Sequence, residues 1–421
     1  MTPLLRVMHS GEFVGRLAAN EAGAIAFEYD PSWLQNGFDL APGSIPFNTE
    51  ANQSMRPAEF DGLPGVFNDS LPDGWGLLLM DRALRKHMGL DRAHITPLDR
   101  LAYMGHRGMG ALEYLPELMP EQAGGPIDLA DIAEQSGRVL NGESADVLEE
   151  LRIYGGSPGG ARPKVTVAFS ADLVLCQSGF DDIPAGFSHW IVKFRNDSTQ
   201  GDADPVDMGR MEKAYAEMAV QAGLQMPRTE LIELTVKKKQ ETFFAVQRFD
   251  REVHRKIHFL SLSGYAYANH RVPCLDYSDG VLPATRKLTR ADEEVAKAFR
   301  LMVFNVLAHN KDDHAKNFAF LRDPVCSGQG VWRLAPAFDL TFNLGINNNH
   351  TTAINGAGTP KFADLKQVAE RHKIRNWKQI IEEVRSAVAR WPALAATYGL
   401  SKRRSSEIQK ALKAIDRVCA Y

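Results

Sequence analysis

The stretch His309-Asn-Lys-Asp-Asp-His-Ala-Lys-Asn317 puts two carboxylates, two imidazoles, two ammonium groups and two amides into nine residues. An apolar run, Phe318–Leu321, follows it, and after a loop comes Trp332-Arg-Leu-Ala-Pro-Ala-Phe-Asp-Leu-Thr341. Phosphoryl transfer is one chemistry such residues serve. It asks for little covalent help: a carboxylate at the attacking hydroxyl, and oxygen ligands that hold Mg²⁺ against the phosphates. Asp312 suits the first task. Asn317 and Asp339 suit the second, Asp339 standing at the end of the apolar Leu334–Phe338. His314 is placed to orient the loop or approach the transferred phosphate, and Lys316 to neutralise charge there. Two other readings of the segment stay open. It is equally a solvated charged turn after a helix, or a transition-metal or hydrolase site built on His309, Asp312, Asp313 and His314, although no third cluster of His or Cys accompanies it.

The separation of Asp312 and Asn317 is the one used by the catalytic loop of protein kinases, where a single tight turn aims both side chains into a cleft. Asp339 begins Asp-Leu-Thr rather than the usual Asp-Phe-Gly. Upstream, the glycines of Gly155-Gly-Ser-Pro-Gly-Gly-Ala-Arg-Pro-Lys164 let backbone N–H groups approach phosphate oxygens, with Lys164 close by. No Gly-Lys-Ser/Thr closes a Walker A loop, and a plain turn accounts for the run as well. Lys193 lies within the apolar Trp190-Ile-Val-Lys-Phe, where a charge needs a partner. Phosphate and Glu212, on the following helix, are the candidates; an edge-strand lysine reaching solvent is the simpler alternative. Gln247, Arg248 and Phe249 end the last strand of the same region, where an adenine edge meets backbone. Arg248, Asp250 and Arg251 read equally well as a structural ion-pair cluster.

These side chains need a framework. Residues Leu4–Met8, Glu12–Leu17 and Ala24–Tyr29 read as short strands, followed by a helix from Trp75, so the first stretch, 1–120, is expected to be a mixed α+β unit. A Pro/Gly-containing linker, Leu118–Pro126, leads to 121–250. There a helical pattern over Asp128–Ile153 and the glycine segment precede strands at Val165–Phe169, Leu173–Cys176 and His189–Phe194. A helix over Gly209–Ala222, stopped by Gly223, and strands at Thr229–Thr235 and Phe243–Phe249 complete a nucleotide-covering lobe. The remainder, 251–421, is expected to be an α-helical catalytic lobe. Thr289-Arg-Ala-Asp292 suggests a capping box for its long helix ending near His309, and Ile374–Trp391 and Ser401–Val418 carry helical periodicity. With 49 basic and 52 acidic residues and a formal charge of −3, no global field holds the chain on DNA or an acidic membrane. Its four cysteines are scattered, and no apolar run approaches the roughly 18 residues of a membrane span. The cytoplasm is the expected location.

Taken in order, Gly-Gly-Ala-Arg-Pro-Lys at 159–164, Lys193, Glu212 with Gly223-Leu-Gln-Met-Pro227, Arg248-Phe-Asp-Arg251, Asn310-x-Asp-x-His-x-Lys-Asn317 and Pro336-x-Phe-Asp-Leu-Thr341 resemble the HipA family of bacterial toxin kinases. Leu4–Ala18 and Leu63-Pro-Gly-Val-Phe-Asn-Asp-Ser-Leu-Pro-Asp-Gly-Trp75 resemble that family's N-terminal subdomain. The resemblance implies an atypical, phosphoinositide-kinase-related bilobal fold with a mixed N-terminal subdomain and an α-rich C-terminal lobe. It implies serine/threonine kinase activity with ATP and Mg²⁺ that arrests growth, with aminoacyl-tRNA synthetases as the known substrate class. Gly159, Gly160, Ala161, Arg162, Lys164, Lys193, Glu212, Gln247, Arg248 and Phe249 are then nucleotide-binding, and Asp312, His314 and Lys316 catalytic. The implied partner is a HipB-like helix-turn-helix antitoxin through which operator DNA is reached. A regulatory serine before Gly-Gly-Ala falls at Ser157. Gln247 stands where some relatives have an acid, and the 178–188 loop has no obvious counterpart. A catalytically weak nucleotide-binding co-repressor acting with such a partner is the alternative.

Overall fold

Alternation of apolar and polar residues in the first thirty positions forces a sheet with one face buried. In the computed structural model, which describes residues 3–89, 92–118, 126–141, 151, 160, 162–180, 183–195, 206–252, 255–323 and 330–419, this becomes β1 (Leu4–His9), β2 (Glu12–Ala19) and β3 (Ile25–Tyr29). With β4 (Asn52–Gln53) and β5 (Leu112–Leu115) they form a five-stranded sheet of order β4-β3-β2-β1-β5. The expectations placed on Ser157, Gly159 and Ala161, and the linker's 119–125, lie outside the described residues.

The chain divides into two compact units, 1–206 with 232–260, and 207–231 with 261–421. Besides the first sheet, the first unit holds helices α1 (Gly74–Met88) and α2 (Leu129–Leu140) and a second sheet. That sheet contains β6 (Lys164–Ser170), β7 (Cys176–Ser178), β8 (Phe187–Lys193), β9 (Thr229–Val236) and β10 (Lys239–Gln247), in the order β7-β6-β8-β10-β9. The strand expected at Leu173–Cys176 begins later, because Leu173 takes a left-handed conformation in the turn that returns the chain from Ser170. Val165, Val167 and Phe169 of β6 and Trp190 and Val192 of β8 share one face and pack with Trp75, Leu79, Leu129 and Ile132 of the two helices. Each such side chain contributes on the order of 1.5–3 kcal/mol by leaving water.

At the end of β10, Arg248 and Asp250 are buried: the guanidinium donates to Asp250 at 2.7 and 2.9 Å and to the Gly108 carbonyl at 3.1 Å. Arg251 adds a 2.8 Å bond to the same carboxylate, and Gly110 N–H a further one at 2.8 Å. Burial alone raises a carboxyl's pKa; here Arg248 and Arg251 outweigh it and hold Asp250 well below the usual carboxylate range. Thus Arg248's side chain is spent on an ion-pair cluster, the structural one of the two roles its sequence allows.

His189, on β8, is lowered from its ordinary 6.5 to about 4, first by burial and then by Arg248 and Arg251. The unfolded chain therefore binds a proton that the folded chain refuses between those two values, and stability must fall as pH drops through that window. The effect approaches about 3 kcal/mol, at 1.36 kcal/mol per unit. Urea unfolding at pH 7 and pH 4.5 checks it: His189→Asn, which retains a donor for the Gly179 carbonyl that Nδ1 meets at 3.0 Å, should lose distinctly less stability on acidification than the parent.

In the second unit, α3 (Met208–Gln221) and the buried α4 (Asp292–Leu307) pack with α5 (Trp377–Ala389), α6 (Trp391–Thr397) and α7 (Lys402–Val418). A hairpin of β11 (Ala319–Asp323) and β12 (Val331–Leu334) follows α4, pinned where Glu294 of α4 accepts the Leu334 N–H at 2.7 Å. The expected capping box does not form. Thr289 closes the preceding helix, Leu282–Thr289, its hydroxyl donating back to the Thr285 carbonyl, and α4 begins instead behind Ala291 with three acids in its first turn. No helix among the described residues is long and apolar enough to cross a membrane.

Candidate active site

Helix α4 stops in a Schellman motif: Asn310 N–H reaches the Asn305 carbonyl at 2.9 Å and His309 N–H the Val306 carbonyl at 3.2 Å. His309 takes the left-handed conformation usually left to glycine, with φ 57°. The Tyr215 hydroxyl of α3 donates to the Ala308 carbonyl at 2.7 Å and steadies the same end. From there the chain enters the 311–314 loop and a short 3₁₀ turn, Ala315–Asn317.

The adjacent carboxylates Asp312 and Asp313 have opposite fates. Asp313 is fully buried and accepts from the Tyr277 hydroxyl at 3.0 Å, His350 Nδ1 at 2.9 Å, and the N–H groups of Thr351 and Thr352 at 3.0 and 3.2 Å. A carboxylate can only accept, so His350 carries its proton on Nδ1. Behind Tyr277 stand Asn305, donating to the phenol at 2.9 Å, and Asn310, donating to Asn305 at 2.9 Å. Lys311 is tied down as well, through bonds of 2.6 and 2.8 Å to Asn348. These contacts exclude the solvated-turn reading for Asp313.

Asp312, by contrast, is exposed. Its carbonyl accepts the Asn317 side-chain N–H at 2.8 Å, which turns the amide oxygen of Asn317 away from the loop backbone. Loss of hydration raises the Asp312 carboxyl above the ordinary carboxylate range; His314 opposes this, and the charges of Asp339 and Asp313 add to it. Asp339 is thus within electrostatic reach of Asp312. It is exposed, with φ 55°, between two fixed points: Ala337 N–H on the Gln225 carbonyl at 2.8 Å, and Phe342 stacked on the His309 ring at 5.0 Å. A non-glycine residue in that conformation costs roughly 1–3 kcal/mol and persists where surroundings impose it. His314 is half-buried, its ring edge-on to His270 at 5.8 Å, and Lys316 is half-buried beside it in sequence.

Two carboxylates within electrostatic reach of each other and the nearby Asn317 amide are ligand types that Mg²⁺ accepts, since it keeps several waters and takes one or two carboxylates plus phosphate oxygens. A transition-metal site has less support. His309 is spent on the Asn343 carbonyl at 3.1 Å, and no group of three or more His, Cys, Asp or Glu is gathered for a metal among the described residues.

The other nucleotide candidates fall elsewhere. Lys164 and Lys193 are opposite each other on β6 and β8, both buried, with Lys193 Nζ 5.7 Å from the centre of the Phe244 ring. Like charges directly across a sheet repel, so this register concentrates positive charge at one place on the sheet. Gly160 and Arg162 precede Lys164 in the first unit; Glu212 is buried on α3 in the second. Gln247 and Phe249 are half-buried at the end of β10. Sequence reasoning passed over Asp313 as a positioning residue, along with Tyr277, Asn305 and His350. Only the pairing of two adjacent acids pointed that way.

The class these observations define is a mixed α/β protein with the fold of HipA. The chain superposes on "Shewanella oneidensis MR-1 Toxin Antitoxin System HipA, HipB and its operator DNA complex" with a TM-score of 0.70 and 17% identity, over 99% of this chain and 96% of that one. It belongs to the HipA family: residues 156–391 match the HipA-like C-terminal domain and 5–115 the HipA N-terminal domain. Two Sinorhizobium fredii (strain NBRC 101917 / NGR234) proteins, named "Putative kinase Y4mE" and "Putative kinase Y4dM", are each 25% identical to it. The first aligns over 80% of this chain and 76% of its own length, the second over 79% and 76%.

Proposed function

We propose that this HipA-family chain is an ATP- and Mg²⁺-dependent serine/threonine protein kinase. The observation that carries the reading is the buried Asp313 anchor next to Asp312, whose backbone carbonyl holds the Asn317 amide and whose carboxyl feels the charge of Asp339. ATP with Mg²⁺ supplies the phosphoryl group and offsets its charge. Asp312 takes the proton of the acceptor hydroxyl, and its raised carboxyl pKa suits a base better than an ordinary aspartate's. Asn317 and Asp339 hold the metal, His314 orients the loop, Lys316 offsets developing charge, and Lys164, Lys193 and the glycine-segment amides take the phosphates. Gln247 and Phe249 border the adenine.

The same reading assigns autophosphorylation to Ser157, whose phosphate would bring about −1.5 to −2 charges into competition with ATP for those donors. It assigns a HipB-like helix-turn-helix antitoxin as partner, with operator DNA reached through it, and an aminoacyl-tRNA synthetase as the class of acceptor protein. Purified chain incubated with γ-labelled ATP and Mg²⁺ tests the core of this. Label should enter protein serine or threonine, and Asp339→Asn should raise the Mg²⁺ concentration for half-maximal transfer by about tenfold or more, as loss of a charged ligand demands. Operator binding with a partner antitoxin, without any transfer, would instead favour the co-repressor.

A further inference from the structure

The segment Leu71-Pro-Asp-Gly-Trp75 has no part in the chemistry above, yet it holds Gly160. Asp73 stands at the N-cap of α1, where an aspartate ordinarily accepts an N–H of its own helix, but it makes no such capping bond. Its Oδ1 instead accepts the N–H of Gly160, 87 residues away in sequence. Two residues on, Trp75 N–H donates to the Gly160 carbonyl at 3.2 Å. One glycine is thereby held at both its donor and its acceptor. Its φ is +116°, and a Cβ built there would lie 2.5 Å from Lys164 Nζ, so the lysine ammonium rests directly on the glycine's open face. The anchor itself does not yield, because Trp75 is buried in the core beside Val165 and Val192 of the sheet that carries Lys164 and Lys193.

We infer that Asp73 is a positioning residue for phosphate binding at Lys164: it fixes the Gly160 backbone against which Lys164 presents its ammonium to the triphosphate. The residue belongs to the stretch matching the HipA N-terminal domain, which on this account contributes to nucleotide binding rather than standing beside it. The ligand rests on the kinase reading; the tether does not.

The test compares the parent with Asp73→Ala and Asp73→Asn, the second keeping an acceptor oxygen while dropping the charge. Hydrogen exchange at the Gly160 amide, resolved by overlapping peptides and compared with the amides of Val165–Phe169, reads the tether without nucleotide. Asp73→Ala should exchange there about tenfold or more faster with the strand amides unmoved, and Asp73→Asn should keep its protection. In kinetics, Asp73→Ala should raise KM for ATP about tenfold with kcat within about twofold, and Asp73→Asn should stay at or below the parent KM. Unchanged exchange at Gly160 in Asp73→Ala overturns the inference. So does a lower KM in that variant, which would make Asp73 a competitor of phosphate, and so does an Asn variant that behaves as Ala does. Should the parent bind no ATP, the kinase reading fails, and the exchange result still decides the tether.

Discussion

Exchanging Asp312 for Asn lowers kcat for phosphoryl transfer by about 10²–10⁴-fold, the range over which a positioned general base acts, while ATP affinity stays within about threefold by the logic that a purely transition-state contact leaves binding alone. The substitution is close to isosteric. It spares the Asn317 contact, which is made to the Asp312 backbone carbonyl and not to its carboxylate. What disappears is the proton acceptor and its repulsion with Asp339 and Asp313. Loss of hydration, with that repulsion added, raises the folded-state pKa of Asp312, so the ionised carboxylate is penalised on folding at neutral pH. Stability from such a group grows as pH falls and it gains its proton. Removing the charge should therefore raise the melting temperature at pH 7 as activity is lost, the usual trade at a site arranged for function. Rapid-quench transfer with labelled ATP, beside a melting curve, checks both signs. Full activity in Asp312→Asn would remove Asp312 as the base.

The parts of this site that the sequence made legible are the ones written in short range. Asp312 and Asn317 share one short turn, where the Asn317 amide meets the Asp312 carbonyl; Asp339 is expected at a strand end, but β12 stops at Leu334 and the acid lies in the irregular chain beyond it. Longer-range facts were hidden. The pairing of Lys164 with Lys193 depends on strand register, which no local pattern sets. Tyr277 and His350 meet Asp313 across 36 and 37 residues, and neither announces a partner in its own neighbourhood. Arg248 and Asp250 were readable as an ion pair or as ligand contacts, and burial against Gly108 and Gly110 gave the first role to their side chains. The cap expected at Thr289 failed for a similar reason, since a preceding helix had already claimed that residue.

Asp313 offers the sharpest test of how fold and chemistry are joined. Truncation to Ala strands the Tyr277 hydroxyl, His350 Nδ1 and the Thr351 and Thr352 amides without their buried acceptor, a loss of about 2–4 kcal/mol when several donors are left unpaired together. The damage also travels outward. The neighbouring Asp312 owes its place to this anchor, and a shift of about 1 Å at a reacting group costs on the order of 10²-fold. So Asp313→Ala should fall in both urea midpoint and kcat, in contrast to Asp312→Asn, which loses only activity. Asp313→Asn separates the two halves of the anchor. Its remaining oxygen can accept the threonine amides, but its NH₂ then faces the donors of Tyr277 and His350, so it should sit between Ala and parent in stability and still turn over slowly. Urea unfolding and single-turnover rates on the same preparations decide the matter: an Asp313→Ala protein with parental kcat would show that Asp312 is held by something other than the buried acid beside it.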